Sequence, residues 1–124
     1  MVEEIITILI VDDEPDLLWM YQELFKTEGF KVLVALSVNE GMEIYKNNQD
    51  IRLIISDSTM EPLSGVQFLQ YLKQSYQTIP MFYLATGDLE MSEQFIKSQG
   101  GHSLVLKPFD LDEIFIKIRK DLQL

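Results

Sequence analysis

Five polar residues in this sequence each follow a short apolar run that is rich in β-branched side chains. They comprise three carboxylates, a hydroxyl and an ammonium group: Asp12, Asp13, Asp57, Thr86 and Lys107. Carboxylate oxygens are hard ligands that suit Mg²⁺, with Mn²⁺ as an acceptable substitute. An aspartate held between such a cation and a lysine can act as the nucleophile in phosphoryl transfer, forming an acyl phosphate. These residue types therefore indicate transient phosphorylation of an aspartate.

The elements that must position these residues alternate along the chain. Apolar, β-branched runs over residues 5–11, 32–35, 53–56, 81–85 and 104–106 predict five strands buried on both faces. Apolar residues at helical spacing follow each strand and predict five helices, the weakest over residues 90–98. Their start signals are capping residues, and their stop signals are glycines: Ser37, Ser64 and Asp110, then Gly29 and Gly100-Gly101.

Strand–helix pairs repeated five times predict an α/β fold, a parallel sheet with helices on both faces, in a single domain over residues 1–124. We expect the doubly wound, flavodoxin-like strand order 2-1-3-4-5, in which ligands bind beyond the carboxyl ends of the strands. The first and third strands are then neighbours, so Asp12, Asp13 and Asp57 converge in one cleft. Thr86 and Lys107 lie on its far side. Three carboxylates this close need a counter-charge to stay ionised together.

The composition excludes several classes of protein. A net charge of −10 and a pI near 4.4 argue against non-specific binding to nucleic acid or anionic membranes. The absence of cysteine excludes disulfides, thiolate catalysis and cysteine zinc sites. The single histidine, His102, excludes a histidine-rich metal centre, and we expect it to be an exposed loop residue. Residues 1–4 are acidic rather than basic, unlike a secretory leader, and no apolar run approaches a membrane span, so a cytoplasmic location is expected.

Several segments, in this order and spacing, resemble the receiver domain of bacterial two-component response regulators. They are residues 11–14, 54–60, 86–87 and 107–109, together with Gly65. The resemblance covers essentially the whole chain. It implies that Asp57 accepts a phosphoryl group from a sensor histidine kinase or a phosphotransfer protein. The domain would catalyse only its own phosphorylation and dephosphorylation, so it is not expected to be an enzyme acting on a separate substrate.

The resemblance also implies roles for the other residues of the cleft. Asp13, Asp57 and the backbone carbonyl of Thr59 would bind Mg²⁺, with Asp12 assisting partly through water. Thr86 and Lys107 would contact the phosphoryl oxygens, and Thr86 would move inward to signal that the site is phosphorylated.

Partners follow from the same resemblance. Besides the kinase or phosphotransfer protein, they comprise a downstream protein target or a C-terminal output domain beyond Leu124, with a monomer or weak homodimer as the oligomeric state. Direct binding of this domain to nucleic acid or membranes is not expected.

The sequence departs from the family pattern in two places. Most members have proline directly after the methionine that follows the acceptor, whereas here Glu61 intervenes and Pro62 comes one residue later. Three residues before the lysine the family usually has tyrosine or phenylalanine, and this chain has Leu104. In the family that aromatic ring moves together with the threonine, so Leu104 cannot report phosphorylation in the same way.

Other interpretations stay open at this level. Asp12 and Asp13 can be read as residues that cap the first helix. A receiver-like scaffold that signals by contact without phosphorylation would share the fold, and Leu104 is compatible with it. A phosphatase with an aspartate nucleophile needs a second aspartate two residues later, where Thr59 stands. A carrier of flavin mononucleotide needs a Gly/Ser/Thr-rich phosphate loop after the first strand, where residues 12–16 are acidic.

Overall fold

The computed structural model describes residues 4–124, and in these residues five strands and five helices alternate. The strands are β1 (Thr7–Val11), β2 (Lys31–Ala35), β3 (Leu53–Asp57), β4 (Met81–Thr86) and β5 (Ser103–Leu106). The helices are α1 (Pro15–Thr27), α2 (Val38–Asn47), α3 (Gly65–Ser75), α4 (Glu93–Ser98) and α5 (Leu111–Asp121). The expectation that residues 1–4 are not part of a secretory leader concerns mainly residues 1–3, which lie outside the described residues.

The five strands form one parallel sheet in the order β2-β1-β3-β4-β5. The predicted α/β class and strand order are therefore confirmed. Val11 at the end of β1 is in register with Ser56 of β3, and Thr86 at the end of β4 with Leu106 of β5. Because parallel strands end at the same edge of the sheet, the polar residues that follow them are brought to one side of the molecule.

Two apolar layers cover the sheet, one on each face. On one face α1 and α5 pack on alternate strand residues, through Leu18, Phe25 and Ile118. On the other face α2, α3 and α4 contribute Tyr45, Phe68, Leu72 and Ile96. Successive strand side chains point to opposite faces, and both faces are covered, so the strands must be apolar at nearly every position. This burial explains the continuous apolar runs of the sequence.

The predicted helix boundaries are largely confirmed by hydrogen bonds. Ser64 forms a full capping box with Gln67 at the start of α3. Ser37 accepts a bond from the backbone of Glu40, which is one half of the capping box expected for α2. Gly29 and Gly100 follow α1 and α4 with φ angles of 97° and 95°, a conformation that glycine adopts without strain.

Two elements are shorter than predicted. Strand β1 begins at Thr7 rather than at residue 5, and Ile5 is 70% exposed. Helix α4 spans only Glu93–Ser98 rather than residues 90–98. The carboxylate of Asp88 accepts a bond from the backbone of Glu90 and folds the preceding residues into a turn. Among the described residues, no helix is long and apolar enough to cross a membrane.

Candidate functional site

Three carboxylates meet at the carboxyl ends of two neighbouring strands. One oxygen each from Asp12, Asp13 and Asp57 lies within 4.8 Å of the other two. Asp12 is 3% exposed, Asp57 is half-buried and Asp13 is exposed. The cluster therefore has a buried inner side and an open outer side. An all-oxygen donor set with room for water is the coordination chemistry of a hard cation such as Mg²⁺.

Asp12 links the cluster to the start of α1. Its Oδ1 accepts a hydrogen bond from the backbone N–H of Glu14 at 3.0 Å, and its Oδ2 accepts one from Lys107 at 2.8 Å. Within residues 4–124, the side chain of the N-cap residue Glu14 makes no capping hydrogen bond to α1, and Pro15 opens the helix without an N–H to satisfy. The capping interpretation is thus correct only for the turn before the helix, since the second oxygen of Asp12 serves the cleft.

Lys107 brings a positive charge to two of the carboxylates. Its Nζ lies 2.8 Å from Oδ2 of Asp12 and 3.5 Å from Oδ2 of Asp57. Partial burial of Lys107 favours its neutral form, but the hydrogen bond and charge of Asp12, together with the charge of Asp57, outweigh it and raise the pKa of Lys107. Lys107 is therefore a fixed cation at neutral pH.

The surroundings of Asp57 alter its ionisation. Burial and the negative charge of Asp12 raise the pKa of Asp57, while Lys107 and the backbone N–H of Thr59 offset the rise only in part. A bound cation or an incoming positive group would favour the ionised, nucleophilic form of this carboxylate.

The predicted hydroxyl partner lies at the same edge of the sheet. Thr86 is buried, and its backbone carbonyl accepts a hydrogen bond from the backbone N–H of Lys107 at 2.8 Å. The Thr86 hydroxyl accepts a bond from the backbone N–H of Asp88 at 3.0 Å. In this structure the hydroxyl therefore holds the turn after β4. Thr59, the other predicted residue, is exposed on the loop after β3.

Gly65 allows the start of α3 to approach the acceptor strand. A Cβ at this position would overlap the backbone carbonyl oxygen of Asp57, and it would lie 2.7 Å from Cδ1 of Leu84. The backbone N–H of Gly65 also donates to the carbonyl of Ser58 at 3.1 Å. Only glycine fits here without displacing Asp57. Glu61 and Pro62 lie on the exposed loop before this contact and leave it in place.

Leu104 lies on β5 opposite Leu84 of β4. It is half-buried and packs against the core layer that α2, α3 and α4 cover. An apolar side chain at this position is accommodated as part of the core, which explains why the sheet tolerates the departure from the family pattern.

His102 lies in the loop before β5, and its side chain is 41% exposed. Its Nε2 lies 3.2 Å from Oδ2 of Asp121. The same oxygen accepts a hydrogen bond from the hydroxyl of Tyr83 at 2.6 Å, and it lies 3.1 Å from Nζ of Lys117. The histidine is in a loop, but its side chain is tied to α5. Its place in a loop agrees with the expectation, whereas sequence spacing does not reveal this contact between the loop and the end of α5.

Tyr21 is a neighbour of the site that the sequence did not single out for chemistry. The helical stripe of α1 predicts it as a packing residue, and it is 3% exposed. Its ring centroid lies 4.8 Å from that of Phe109, two residues after Lys107. In the sequence, its closeness to the cleft was indicated only by its position eight residues after Asp13, on the buried face of α1.

The comparisons with known proteins agree with this geometry. A family model described as "Response regulator receiver domain" matches residues 8–119. The response regulator SaeR of Staphylococcus aureus is 31% identical over 111 residues, covering 90% of this chain and 48% of SaeR. The chain thus spans about half the length of the curated relatives that it matches.

Solved structures show the same fold. A receiver domain protein from Clostridium thermocellum is 28% identical, with a TM-score of 0.84 and coverage of 97% of this chain and 100% of that one. A CheY-like receiver domain protein from Methanospirillum hungatei is 22% identical, with a TM-score of 0.85 and coverage of 97% and 95%. The family match spans the acidic cluster and Lys107 as well as the sheet. The chain belongs to the response regulator receiver domain family of two-component systems.

Proposed function

We propose that the chain is a phospho-accepting receiver in which Asp57 takes a phosphoryl group from a phosphohistidine, in a Mg²⁺-dependent reaction that switches protein–protein interactions. The observation that carries the proposal is the convergence of three carboxylates within 4.8 Å, with Lys107 at 2.8 Å and 3.5 Å from two of them. A surface cluster with no chemical role would not need a partly buried lysine that reaches it from the edge strand of the sheet.

The chemical step is a displacement at phosphorus. A carboxylate oxygen of Asp57 attacks the phosphorus atom of the donor, an O–P bond forms, and the N–P bond to the donor imidazole breaks. The imidazole nitrogen keeps the bonding electron pair and takes up a proton from solvent. Hydrolysis of the acyl phosphate returns the carboxylate and releases inorganic phosphate, so the protein itself is unchanged after one cycle.

Each residue of the cleft has a role in this step. Asp12, Asp13, Asp57 and the backbone carbonyl of Thr59 would hold Mg²⁺. When bound, this ion supplies charge neutralisation for the phosphoryl oxygens. Lys107 would transfer its contact from the carboxylates to a phosphoryl oxygen, and the hydroxyl of Thr86 would leave the backbone of Asp88 to donate to another.

The partners are proposals of the same kind. A receiver implies a histidine kinase, or a phosphotransfer protein, as phosphoryl donor. Because the chain covers 48% of SaeR, the output is proposed to be either a separate protein target or a C-terminal domain of a longer chain. We place the domain, residues 1–124, in the cytoplasm as a monomer or weak homodimer.

Leu104 supports one alternative, a receiver-like scaffold that signals without phosphorylation. Leucine has no aromatic ring that could move together with Thr86, and this leucine already packs against the core. The alternative predicts that phosphorylation, even if it occurs, leaves the shape of the domain unchanged.

A titration with beryllium fluoride, which mimics a phosphoryl group on aspartate, tests whether Asp57 accepts such a group. With Mg²⁺ present, we expect slow-exchange shifts in the amide NMR signals of Asp57, Thr86, Asp88 and Lys107. Asp57→Asn is the matched control and should show none of them. Identical spectra with and without beryllium fluoride in the natural sequence would contradict the phospho-accepting function.

A further inference from the structure

The sheet holds the segment that carries Lys107 from one side only. Strand β5 is an edge strand, and within the described residues it pairs with β4 alone. The last backbone bond between them joins the N–H of Lys107 to the carbonyl of Thr86 at 2.8 Å. Beyond this bond the chain leaves the sheet through Pro108, so a second anchor is needed to fix the direction in which Lys107 points.

Phe109 supplies a contact on the other side. It is partly buried, and its ring lies against Tyr21 of α1 with centroids 4.8 Å apart and planes inclined by 32°. Aromatic pairs at this separation contribute attraction beyond the area that they bury. The contact therefore joins the exit of β5 to α1, the helix that begins just after Asp12 and Asp13.

Tyr21 is also close to the charges of the cleft. Burial raises the pKa of its hydroxyl, the charge of Lys107 opposes that rise, and the charges of Asp12 and Asp57 add to it. The hydroxyl therefore feels the charges of Lys107, Asp12 and Asp57, three of the groups that form the cleft. The position of its ring is given by the contact with Phe109, two residues after Lys107.

We propose that Tyr21 is a positioning residue, whose ring packs on Phe109 and thereby holds the ammonium group of Lys107 between Asp12 and Asp57. A lysine side chain has four rotatable bonds, so a contact of 2.8 Å to one carboxylate and 3.5 Å to another is kept only if its backbone is fixed. The inference rests on the proposed function for its consequence in phosphorylation, although the position of Lys107 can be measured without it.

Variants of Tyr21 test the proposal. Tyr21→Leu removes the ring, and Tyr21→Phe keeps the ring while removing the hydroxyl. Phe25→Leu is the matched control, since Phe25 also lies on α1 and pairs with Phe115 at 4.8 Å in the same core layer. The readouts are the side-chain NMR signals of Lys107 in the unphosphorylated protein, and the rate of phosphorylation by acetyl phosphate.

We expect Tyr21→Leu to shift the Lys107 signals and to slow phosphorylation about tenfold, the scale of a small misplacement of a catalytic group. Tyr21→Phe should keep the natural signals and a rate within about twofold, since the ring contact remains. Phe109→Leu should reproduce the effect of Tyr21→Leu, and the double variant should be no worse than either, because both remove one shared contact.

Two results would overturn the proposal. One is that Tyr21→Leu moves the Lys107 signals no more than Phe25→Leu does, which would make Tyr21 an ordinary core residue. The other is that Tyr21→Phe is as disruptive as Tyr21→Leu, which would exclude a role of the ring. If the natural protein accepts no phosphoryl group, the proposed function fails, whereas the Lys107 signals still decide the role of Tyr21.

Discussion

The ammonium group of Lys107 lies 2.8 Å from Oδ2 of Asp12, although the two residues follow strands that are separated by β3 and β4. The lysine therefore reaches past the ends of β4 and β3 to a carboxylate that follows β1. In this state Asp12, rather than the proposed acceptor, is its closer partner. The site holds its own counter-charge before any cation binds, and phosphoryl transfer requires that this charge be redistributed.

Replacing Asp57 by asparagine should stabilise the domain when no divalent cation is present. Because burial and the charge of Asp12 raise the pKa of Asp57, its ionisation opposes folding. This cost is absent below the ordinary carboxyl pKa and grows as the pH rises through it. We expect Asp57→Asn to raise the free energy of unfolding at pH 7 by about 1 kcal/mol, and much less at pH 4.

Urea unfolding at the two pH values measures this difference. Asp50→Asn, which removes the same charge at an exposed site, is the control and should have little effect. A destabilised Asp57→Asn at pH 7 would show that the carboxylate is not crowded.

Lys107→Ala should separate phosphorylation from its structural consequence. The carboxylates that would hold Mg²⁺ remain, so the variant should still bind the ion, as followed by NMR titration. Phosphorylation should no longer produce the conformational change of the natural protein, because the contact from the lysine to the phosphoryl group is missing. Lys120→Ala, at an exposed position of α5, is the control. Normal switching of Lys107→Ala would refute the role assigned to the lysine.

Gly65→Ala should damage both stability and the site. The new Cβ would overlap the backbone carbonyl of Asp57, so α3 or the end of β3 must shift. Overpacking of this kind costs about 1–3 kcal/mol, and phosphorylation should slow with it. Gly87→Ala is the matched control, because a Cβ there meets no atom within 4 Å. Equal thermal stability of the two variants would mean that the close approach is not rigid.

Tyr83→Phe should weaken the attachment of α5 in a pH-dependent way. Partial burial favours the neutral form of Asp121, but hydrogen bonds from Tyr83 and Lys117 outweigh it and hold the pKa of Asp121 below its usual value. The stabilisation is therefore present above the ordinary carboxyl pKa and is lost as the pH falls through the lowered one. A hydrogen bond to a charged group contributes about 1.5–3 kcal/mol, so the loss at pH 7 should be of that order.

The measurement for Tyr83→Phe is urea unfolding at pH 7 and at pH 3. The difference from the natural protein should narrow at the lower pH. Tyr45→Phe, at a buried tyrosine of the other core layer, should show no such change with pH. A difference for Tyr83→Phe that is the same at both values would contradict the assigned role of Asp121.

Strand ends were predictable because each one combines the end of an apolar run with a polar residue directly after it. Asp12 and Asp57 each follow an apolar run. A continuous apolar run is typical of a strand that is buried on both faces of a parallel sheet, and β1 and β3 pair in this way. Once the strand order was set, the convergence of the carboxylates followed from the geometry of the sheet. The resemblance of the motifs supplied the roles that spacing could not.

Contacts between distant elements were not predictable in the same way. The packing of Tyr21 on Phe109 and the contact between His102 and Asp121 join residues that no local pattern connects. Helix α4 starts late because Ser92 caps it through the backbone N–H of Phe95, while Asp88 holds the backbone N–H of Glu90 in the preceding turn. Such outcomes are decided by rotamers and tertiary packing, which the order of apolar and polar residues does not encode.

The central claim is that Asp57 is the phosphoryl acceptor. Intact-mass spectrometry after incubation with acetyl phosphate tests it directly, with Mg²⁺ or with a chelator in place of the ion. The account predicts the added mass of a single phosphoryl group in the natural protein with Mg²⁺, and no added mass either in Asp57→Asn or with the chelator. An equal adduct on Asp57→Asn, or none on the natural protein, would contradict it.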